Sequence, residues 1–504
     1  MTVLLVDFGQ LRAAIGRMEE FAREVAECLE DIEQNMVGLR ASWQGEGWDA
    51  QAQAQRQWQH GADQMQQALS ALQKIADTHG GNRADGTPGY QASVDYVAQL
   101  LRDKGFDVQT PEFRRLSGSE GGKPTLTVAG RTYRADQASL LITTLAGGLR
   151  AVTLRPRKPS GCTAADYGTA SVKGAIAVVE DTGCSIAAKH DAAVAEGAVG
   201  VLVVGKATPA QPTGAPPGVF TAGYYQNMKI PVGVIDPTAD AALHRTDSPV
   251  TLVLDNKPVM TTSRNVIAQT KSGDADNVVV VGAHLDSVRS GPGINDNGSG
   301  VAAVLETALQ LGAQPQRGNA VRFAFWGAGE VSADGSLSYL RSLTGDQLDD
   351  IALYLDFDVL ASPNAGYFTD DGDQSSQTGA AVEALPRGSA GIERTLAGRL
   401  NLAGVRPADM PLGRTGDYAA FLAAGVPVGG ATTGSSQLKT DVQARIWGGD
   451  AGVAFDGDYH TPRDTLDNVN RDALGVMASS PAFAVGAYAQ SIDGVNGVPP
   501  REQR

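Results

Sequence analysis

Apolar residues in the first 78 positions recur at intervals of three and four, which places their side chains on one face of a helix. A short break at residues 43–47 separates two such stripes. The first stripe comprises Leu11, Ile15, Met18, Ala22, Val25, Leu29, Ile32, Met36 and Leu39, and the second comprises Trp58, Ala62, Met65, Leu69, Leu72 and Ala76. The pattern predicts an antiparallel helical hairpin over residues 1–78. Because two helices leave apolar surface uncovered, we expect this segment to self-associate or to pair with another helical hairpin.

After the predicted hairpin, the pattern changes to alternating strands and helices. A glycine-rich stretch precedes a predicted helix over residues 91–104, which starts an α/β domain. Short apolar runs at 175–179 and 199–204, with a helix near 186–196, predict a β-rich insert. The α/β pattern resumes at residues 265–268, so the α/β domain is expected to be discontinuous. The predicted segments are 79–106 for the start of the α/β domain, 107–258 for the insert, 259–494 for the rest of the α/β domain and 495–504 for a flexible tail.

The later α/β segment shows the clearest alternation. Apolar runs at 278–281, 320–326 and 351–357 predict buried strands, and small and apolar residues at 300–311 predict a helix. Buried strands that alternate with helices are typical of an α/β fold with a mainly parallel sheet. Such sheets bind their ligands at the carboxyl ends of the strands.

Composition excludes several classes of function. The chain has 504 residues and a formal net charge of −15, which argues against nucleic acid or an anionic membrane surface as a partner. No apolar stretch is long enough to span a membrane, and the amino terminus lacks the pattern of a secretory signal peptide. Among the three cysteines, Cys162 and Cys184 lie in one segment, where they either form a disulfide or remain as small buried thiols.

Residues with metal-binding side chains follow the predicted strands. His284, Glu330 and Asp358 come after three successive strands, Asp296 starts the next helix, and His460 lies in a late loop. Imidazole nitrogens and carboxylate oxygens together suit zinc and related divalent ions. Five ligands suit two ions that share one carboxylate, and the central position of Asp296 in the chain makes it the expected bridge. A lone His-x-Asp motif is also common as a hydrogen-bonded histidine at a strand end.

Four segments around these residues resemble the co-catalytic di-zinc aminopeptidases of clan MH, namely 282–300, 323–335, 357–368 and 459–468. The resemblance covers roughly residues 75 to 490 and implies a three-layer α/β/α zinc exopeptidase fold that binds two Zn²⁺ ions. It implies the ligands His284, Asp296, Glu330, Asp358 and His460, with Asp286 orienting His284. It also implies that Tyr459 donates to the oxyanion of the tetrahedral intermediate and that Arg414 helps to place the substrate.

Two other segments resemble known families. Gly161-Cys162, residues 172–176 and Gly183-Cys184-Ser185 are similar to the protease-associated (PA) domain, which these aminopeptidases often carry as an insert. Trp43-Gln44-Gly45, between two helical stripes, resembles the WXG family of type VII secretion substrates. That second resemblance implies secretion or surface location by a route that needs no signal peptide. The absent signal peptide leaves a cytoplasmic location as the alternative.

The chain departs from the aminopeptidase pattern at the expected general base. Relatives read Gly-Ala-Glu-Glu where this chain has Gly327-Ala328-Gly329-Glu330, so the metal ligand is kept and Gly329 replaces the base. Loss of a positioned base typically costs roughly 10²–10⁴ in rate. A second departure places Asp458 and Arg463 where relatives often have a cysteine pair, and we expect an ion pair there.

These features predict a zinc-dependent aminopeptidase that hydrolyses the amino-terminal residue of peptides through a metal-activated water. Its substrates are expected to be peptides with a free amino terminus, and Gly329 is expected to weaken the activity. One alternative is an inactive pseudopeptidase that binds zinc and peptides. The other is a type VII secretion or assembly protein with a peptidase-like body.

Overall fold

The computed structural model describes residues 46–139, 141–169, 171–205, 228–331, 333–376, 385–413 and 416–503. The chain divides into two compact units, Met1–Gln64 and Met65–Arg504. The first predicted helix, with the stripe from Leu11 to Leu39, lies outside the described residues. Within the described ranges, no helix combines the length and the apolar character needed to cross a bilayer.

The second predicted helix is α1 (Glu46–Thr78). Its last turns belong to the larger unit, and there Met65, Leu69, Leu72 and Ala76 are buried. These residues belong to the apolar stripe predicted from the sequence. The stripe is therefore the face by which the end of α1 packs.

The chain then enters the α/β domain through α2 (Pro88–Asp103), which Thr87 caps by accepting a hydrogen bond from the backbone N–H of Tyr90. Strands β1 (Asp107–Gln109) and β2 (Glu112–Glu120) follow. β1 pairs with a strand of the α/β domain. Residues 107–109, which the sequence analysis placed in the insert, therefore belong to the α/β sheet, because a three-residue strand carries too little pattern to reveal its sheet.

The insert is built around an eight-stranded mixed sheet. Its strands are β3 (Thr125–Val128), β4 (Arg131–Gln137), β5 (Leu149–Ala151), β6 (Thr153–Leu154), β7 (Ile176–Glu180), β8 (Gly200–Val204), β9 (Val232–Ile235) and β10 (Val250–Val253). The spatial order is β5-β10-β3-β4-β9-β8-β7-β6. Helices α3 (Ile186–Ala195) and α4 (Pro237–Leu243) pack on this sheet. A disulfide joins Cys162 to Cys184, which decides between the bridge and the buried thiols left open by the sequence.

The α/β domain holds the second eight-stranded sheet, in the order β1-β12-β14-β13-β15-β18-β16-β17. β11 (Lys257–Arg264) pairs with β2 and connects the insert to this sheet. The remaining strands are β12 (Val266–Gln269), β13 (Asp274–His284), β14 (Asn319–Trp326), β15 (Ile351–Phe357), β16 (Phe368–Asp370), β17 (Ala408–Met410) and β18 (Val428–Thr432). The central strands β14, β13, β15 and β18 are parallel. The predicted parallel α/β architecture is confirmed.

Helices cover both faces of this sheet, which completes the three layers. The helices that follow α2 in this domain are α5 (Gly300–Leu311), α6 (Asp334–Ser342), α7 (Gly345–Asp349), α8 (Ser389–Leu402), α9 (Tyr418–Ala423), α10 (Asp441–Trp447), α11 (Arg471–Met477) and α12 (Ser479–Gln490). On one face, α6 and α9 pack around Trp326, Tyr354 and Phe421, with the rings of Tyr354 and Phe421 stacked at 4.0 Å. On the opposite face, α5 and α12 pack on β13 and β14.

Candidate metal centre

Three of the five predicted ligands lie just beyond neighbouring strands. His284 ends β13, Asp358 follows β15 and Glu330 lies shortly after β14. Because these three strands are adjacent and parallel, their carboxyl ends meet at one edge of the sheet. The hydrogen-bond ladder thus fixes the positions from which the three side chains project.

The other two predicted ligands come from loops. Asp296 lies in the irregular turn Ile294–Ser299 that precedes α5, and the peptide bond to Asn297 is cis. His460 lies in the late loop with a positive φ of 61°. Both reach the same edge of the sheet as the strand-end ligands. All five side chains line one cavity of about 410 Å³.

The five side chains form two groups that share Asp296. In the first group, His284 Nε2 lies 3.4 Å from Asp296 Oδ1 and 3.3 Å from Asp358 Oδ1. In the second, His460 Nε2 lies 3.0 Å from Asp296 Oδ2 and 3.0 Å from Glu330 Oε2. The two oxygens of Asp296 therefore face different histidines, which is the arrangement of a bridging carboxylate.

The donor atoms fit a metal ion. Within the described part of the chain, Glu330 Oε1 is a buried oxygen without a hydrogen-bond donor, and the buried oxygens Asp296 Oδ2 and Asp358 Oδ1 face histidine nitrogens at 3.0 and 3.3 Å. Such oxygens are costly to bury unless a cation or a donor reaches them. In each group, one donor atom from every residue lies within 4.8 Å of the others. Two imidazoles with three carboxylates match the ligand preference of zinc.

The charges in this centre are strongly coupled. Burial raises the pKa of Glu330 to about 8, and the charge of Asp296 adds to the rise. Burial acts to lower the pKa of His460, but its hydrogen bonds to Asp296 and Glu330 outweigh burial and raise that pKa to about 10. Burial likewise opposes ionisation of Asp296, yet both histidines hold its pKa below the ordinary value. In this arrangement the protonated histidines offset the negative charge of the carboxylates. Bound cations would offset that charge instead.

Asp286 supports the centre through its carboxylate and its backbone. The backbone carbonyl of Asp286 lies 3.1 Å from His284 Nδ1, whereas its nearest carboxylate oxygen lies 3.7 Å from that nitrogen. The carboxylate instead accepts hydrogen bonds from the backbone N–H groups of Gly329 (2.8 Å) and Glu330 (3.3 Å). Asp286 therefore contacts His284 and anchors the turn that carries Glu330.

Two supporting residues were missed by the sequence analysis. The carboxylate of Asp464 accepts hydrogen bonds from the backbone N–H groups of Asn295 (2.7 Å) and Asp296 (2.9 Å). The fully buried guanidinium of Arg83 donates to the backbone carbonyls of Leu285, Pro292 (2.9 Å) and Gly293 (2.6 Å). Together they hold the loop between His284 and Asp296. Arg83 belongs to no motif, and Asp464 lies in segment 459–468 but was given no role there.

Gly329 is closely packed against His284. A Cβ atom added to Gly329 would lie 2.3 Å from the Cβ and 2.6 Å from the Cγ of His284. These separations are shorter than non-bonded carbon atoms tolerate, so a larger residue requires the turn to move. The backbone position predicted for the general base therefore has no room for a side chain.

The structure describes some of the remaining predicted residues and leaves out others. Tyr459 lines the cavity, its ring stacks on that of His460 at 3.9 Å, and burial with nearby carboxylates raises its pKa. Arg414 lies outside the described residues. The predicted ion pair is present, with Arg463 Nε donating to Asp458 Oδ1 at 2.6 Å. Because Arg463 is mostly exposed, such a pair contributes only about 0–1 kcal/mol.

Comparison with known proteins gives matches along most of the chain. Residues 265–483 match peptidase family M28, residues 148–243 match the PA domain, and residues 4–82 match proteins of 100 residues with WXG. The probable lipoprotein aminopeptidase LpqL of Mycobacterium tuberculosis is 47% identical over 441 residues, which cover 87% of each chain. An aminopeptidase of Pseudomonas aeruginosa is 37% identical over 437 residues, covering 84% of this chain and 80% of the relative.

A solved structure agrees with the fold. BSAP, a zinc aminopeptidase from Bacillus subtilis, superposes with a TM-score of 0.52 at 22% identity, covering 88% of this chain and 99% of BSAP. The sequence relatives and the matched segments show that this chain belongs to peptidase family M28, with a PA domain and an amino-terminal WXG segment. The resemblances found in the sequence are thereby confirmed.

Proposed function

We propose that this chain is a zinc-dependent aminopeptidase that uses two zinc ions to hydrolyse the peptide bond after a substrate's amino-terminal residue. The observation that carries this proposal is the pair of ligand groups that share Asp296 within one cavity. The chain is an M28 peptidase, and relatives that cover most of its length are named aminopeptidases. Its reaction is accordingly hydrolysis of peptides with a free amino terminus.

We assign one ion to His284, Asp296 and Asp358, and the other to Asp296, Glu330 and His460. Zinc at these positions supplies a Lewis acid for the peptide carbonyl and lowers the pKa of the attacking water. The phenol of Tyr459 stays protonated because burial raises its pKa, so it can donate to the developing oxyanion. Asp286 holds Glu330 in place through the backbone N–H groups of residues 329 and 330.

The reaction is expected to be slow because Gly329 offers no group that accepts the proton of the water. A missing general base typically lowers the rate by roughly 10²–10⁴. This departure favours a second candidate function, a protein that binds zinc and peptides without turnover. The WXG match over residues 4–82 supports a third, in which the peptidase body is part of a secretion or assembly protein.

The test combines zinc content with turnover of chromogenic aminoacyl amides. We expect about two zinc ions per purified chain and slow release of the chromophore, abolished by a chelator and by Asp296→Asn. Asp467→Asn, which alters an exposed carboxylate shortly after the late loop, serves as the control and should retain both properties. Bound zinc without turnover of any amide favours the binding protein. Absence of bound zinc contradicts the metal centre and favours the third function.

We further propose that the chain acts outside the cell or at its surface. The relative LpqL is named a lipoprotein aminopeptidase, and the Cys162–Cys184 disulfide fits an oxidising compartment. The WXG segment supports export without a signal peptide and association with another helical hairpin. Finding the chain in the culture medium or on the cell surface would support this location, and finding it only in the cytoplasm would contradict it.

A further inference from the structure

The cavity beside the metal centre contains more acidic groups than the five ligands require. Asp356, Asp370 and Asp417 line it as well. Asp370 is 9% exposed and Asp417 is 3% exposed. No lysine or arginine among the described residues lines this cavity. The described lining of this cavity therefore carries more carboxylates than basic side chains.

Among the described residues that line the cavity, Asp370 is a carboxylate whose side chain has no hydrogen-bond donor. Within the described ranges, no residue donates a hydrogen bond to its side chain, and the charged groups that act on it are Asp358 and Glu393. Burial and these two carboxylates raise the pKa of Asp370 to about 7. By contrast, Asp356 accepts a hydrogen bond from the Tyr354 hydroxyl at 2.7 Å. A buried carboxylate without a donor is costly unless a ligand supplies one.

The surroundings of Asp370 fit a long side chain with a terminal cation. Asp370 ends β16 and pairs in register with Met410 at the end of the parallel β17. Met410, Pro411 and Tyr418 line the same cavity, and the charge of Asp370 acts on the phenol of Tyr418. Lysine and arginine carry an apolar stem below a charged head, and the two parts prefer different surroundings. Met410 and Tyr418 suit the stem, and Asp370 suits the cation.

We propose that this cavity binds the side chain of the substrate's first residue and that Asp370 selects lysine or arginine there. The proposal rests on the aminopeptidase function proposed above. A role in holding the substrate's α-ammonium group is the competing explanation for Asp370. That group is common to all substrates, so only the side-chain role predicts a difference between substrates.

The first test uses the unaltered, zinc-loaded protein and two substrates, the chromogenic amides of lysine and norleucine. Norleucine has nearly the same stem as lysine but lacks the ammonium group. We expect kcat/KM for the lysine amide to be at least about 10-fold higher, because an ion pair in a desolvated cavity is worth more than an exposed pair. Equal values, or a preference for norleucine, would overturn the proposal without involving any variant.

The second test assigns the preference to Asp370. Asp370→Asn keeps the size of the side chain and removes its charge, so the lysine-to-norleucine ratio should fall by about 10-fold or more. Asp373→Asn, an exposed carboxylate three positions along the same loop that does not line the cavity, should keep the ratio. Equal losses for both substrates in Asp370→Asn would identify a role in holding the α-ammonium group and contradict side-chain selection.

Calorimetric titration with lysine amide and norleucine amide separates failure of this proposal from failure of the proposed function. Tighter binding of lysine amide by the zinc-loaded protein, without turnover of any substrate, supports the selective site and refutes the peptidase activity. Turnover of many amides without preference for basic residues supports the peptidase activity and refutes the selective site. A melting curve and zinc content for each variant show whether it is folded and loaded.

Discussion

At the scale of single residues, Gly329 has two opposing effects. It removes the expected proton acceptor, but the absence of a side chain lets the turn approach His284 closely, since an added Cβ would lie 2.3 Å from the His284 Cβ. The turn is also held by Asp286 through the backbone N–H groups of Gly329 and Glu330. Restoring a glutamate is therefore a change in packing as well as in chemistry.

We predict that Gly329→Ala and Gly329→Glu both weaken zinc binding by about 10–100-fold, because each must displace the turn that carries Glu330. At saturating zinc, Gly329→Glu should be faster than Gly329→Ala by about 10²–10⁴, because it alone adds a proton acceptor. Competition with a chromophoric chelator measures the affinity, and amide hydrolysis measures the rate.

Gly329→Ala is the matched control, because it adds the same Cβ without the carboxylate. Zinc affinity equal to that of the unaltered protein in both variants would contradict the packing argument. Equal rates for the two variants at saturating zinc would contradict the assignment of residue 329 to the base position.

Some residues of this site could be predicted from the sequence, and others could not. His284, Glu330 and Asp358 could be located because each follows a strand with a strong apolar pattern, and adjacent parallel strands end at one edge. Arg83 and Asp464 could not be located in this way. They bind backbone groups of a loop that is remote in the sequence, and no spacing rule connects such partners.

At the scale of elements, the end of α1 supports the loops of the metal centre. Leu69 and Leu72 are buried, and both lie close to Gly298 in the turn that carries Asp296. The side-chain oxygen of Gln73 accepts a hydrogen bond from the backbone N–H of Leu466, which follows the loop of His460. Thus the helix contacts both segments that supply loop ligands.

The sequence predicted the apolar stripe of this helix but not its partner. The sequence analysis places Leu69 and Leu72 in the apolar stripe of a helical hairpin, and the structure packs them beside the turn Ile294–Ser299. A periodic stripe indicates that a face is buried, but it does not specify which surface covers that face. Which surface covers the apolar face of α1 depends on the shape of that face and on the path of the chain after α1.

We predict that Leu72→Ala destabilises the protein by about 2–5 kcal/mol and weakens zinc binding, because the cavity loosens the turn that carries Asp296. Gln67→Ala changes an exposed residue of the same helix and should leave both properties unchanged. Denaturant unfolding and chelator competition give the two measurements. Lower stability with unaltered zinc affinity would show that α1 supports the fold but does not position the metal centre.

At the scale of the whole molecule, the metal centre joins five separate segments of the chain. They are the end of β13, the turn before α5, the residues after β14, the residue after β15 and the late loop. Without a cation, the carboxylates of Asp296, Glu330 and Asp358 lie close together in a protein whose net charge is already −15. Bound zinc removes this repulsion and links the segments, so it should stabilise the folded state.

We therefore predict that a chelator lowers the melting temperature and that zinc raises it progressively with concentration. Ligand binding at 100 times the dissociation constant stabilises a folded protein by about 2.7 kcal/mol. His460→Ala removes one ligand of the second group only, so its zinc-dependent shift should be smaller than that of the unaltered protein, whereas Asp467→Asn should keep the full shift. Calorimetry measures these shifts across zinc concentrations. Identical melting temperatures with chelator and with zinc would mean that the five segments are held by packing alone, and the coupling between metal binding and folding would be refuted.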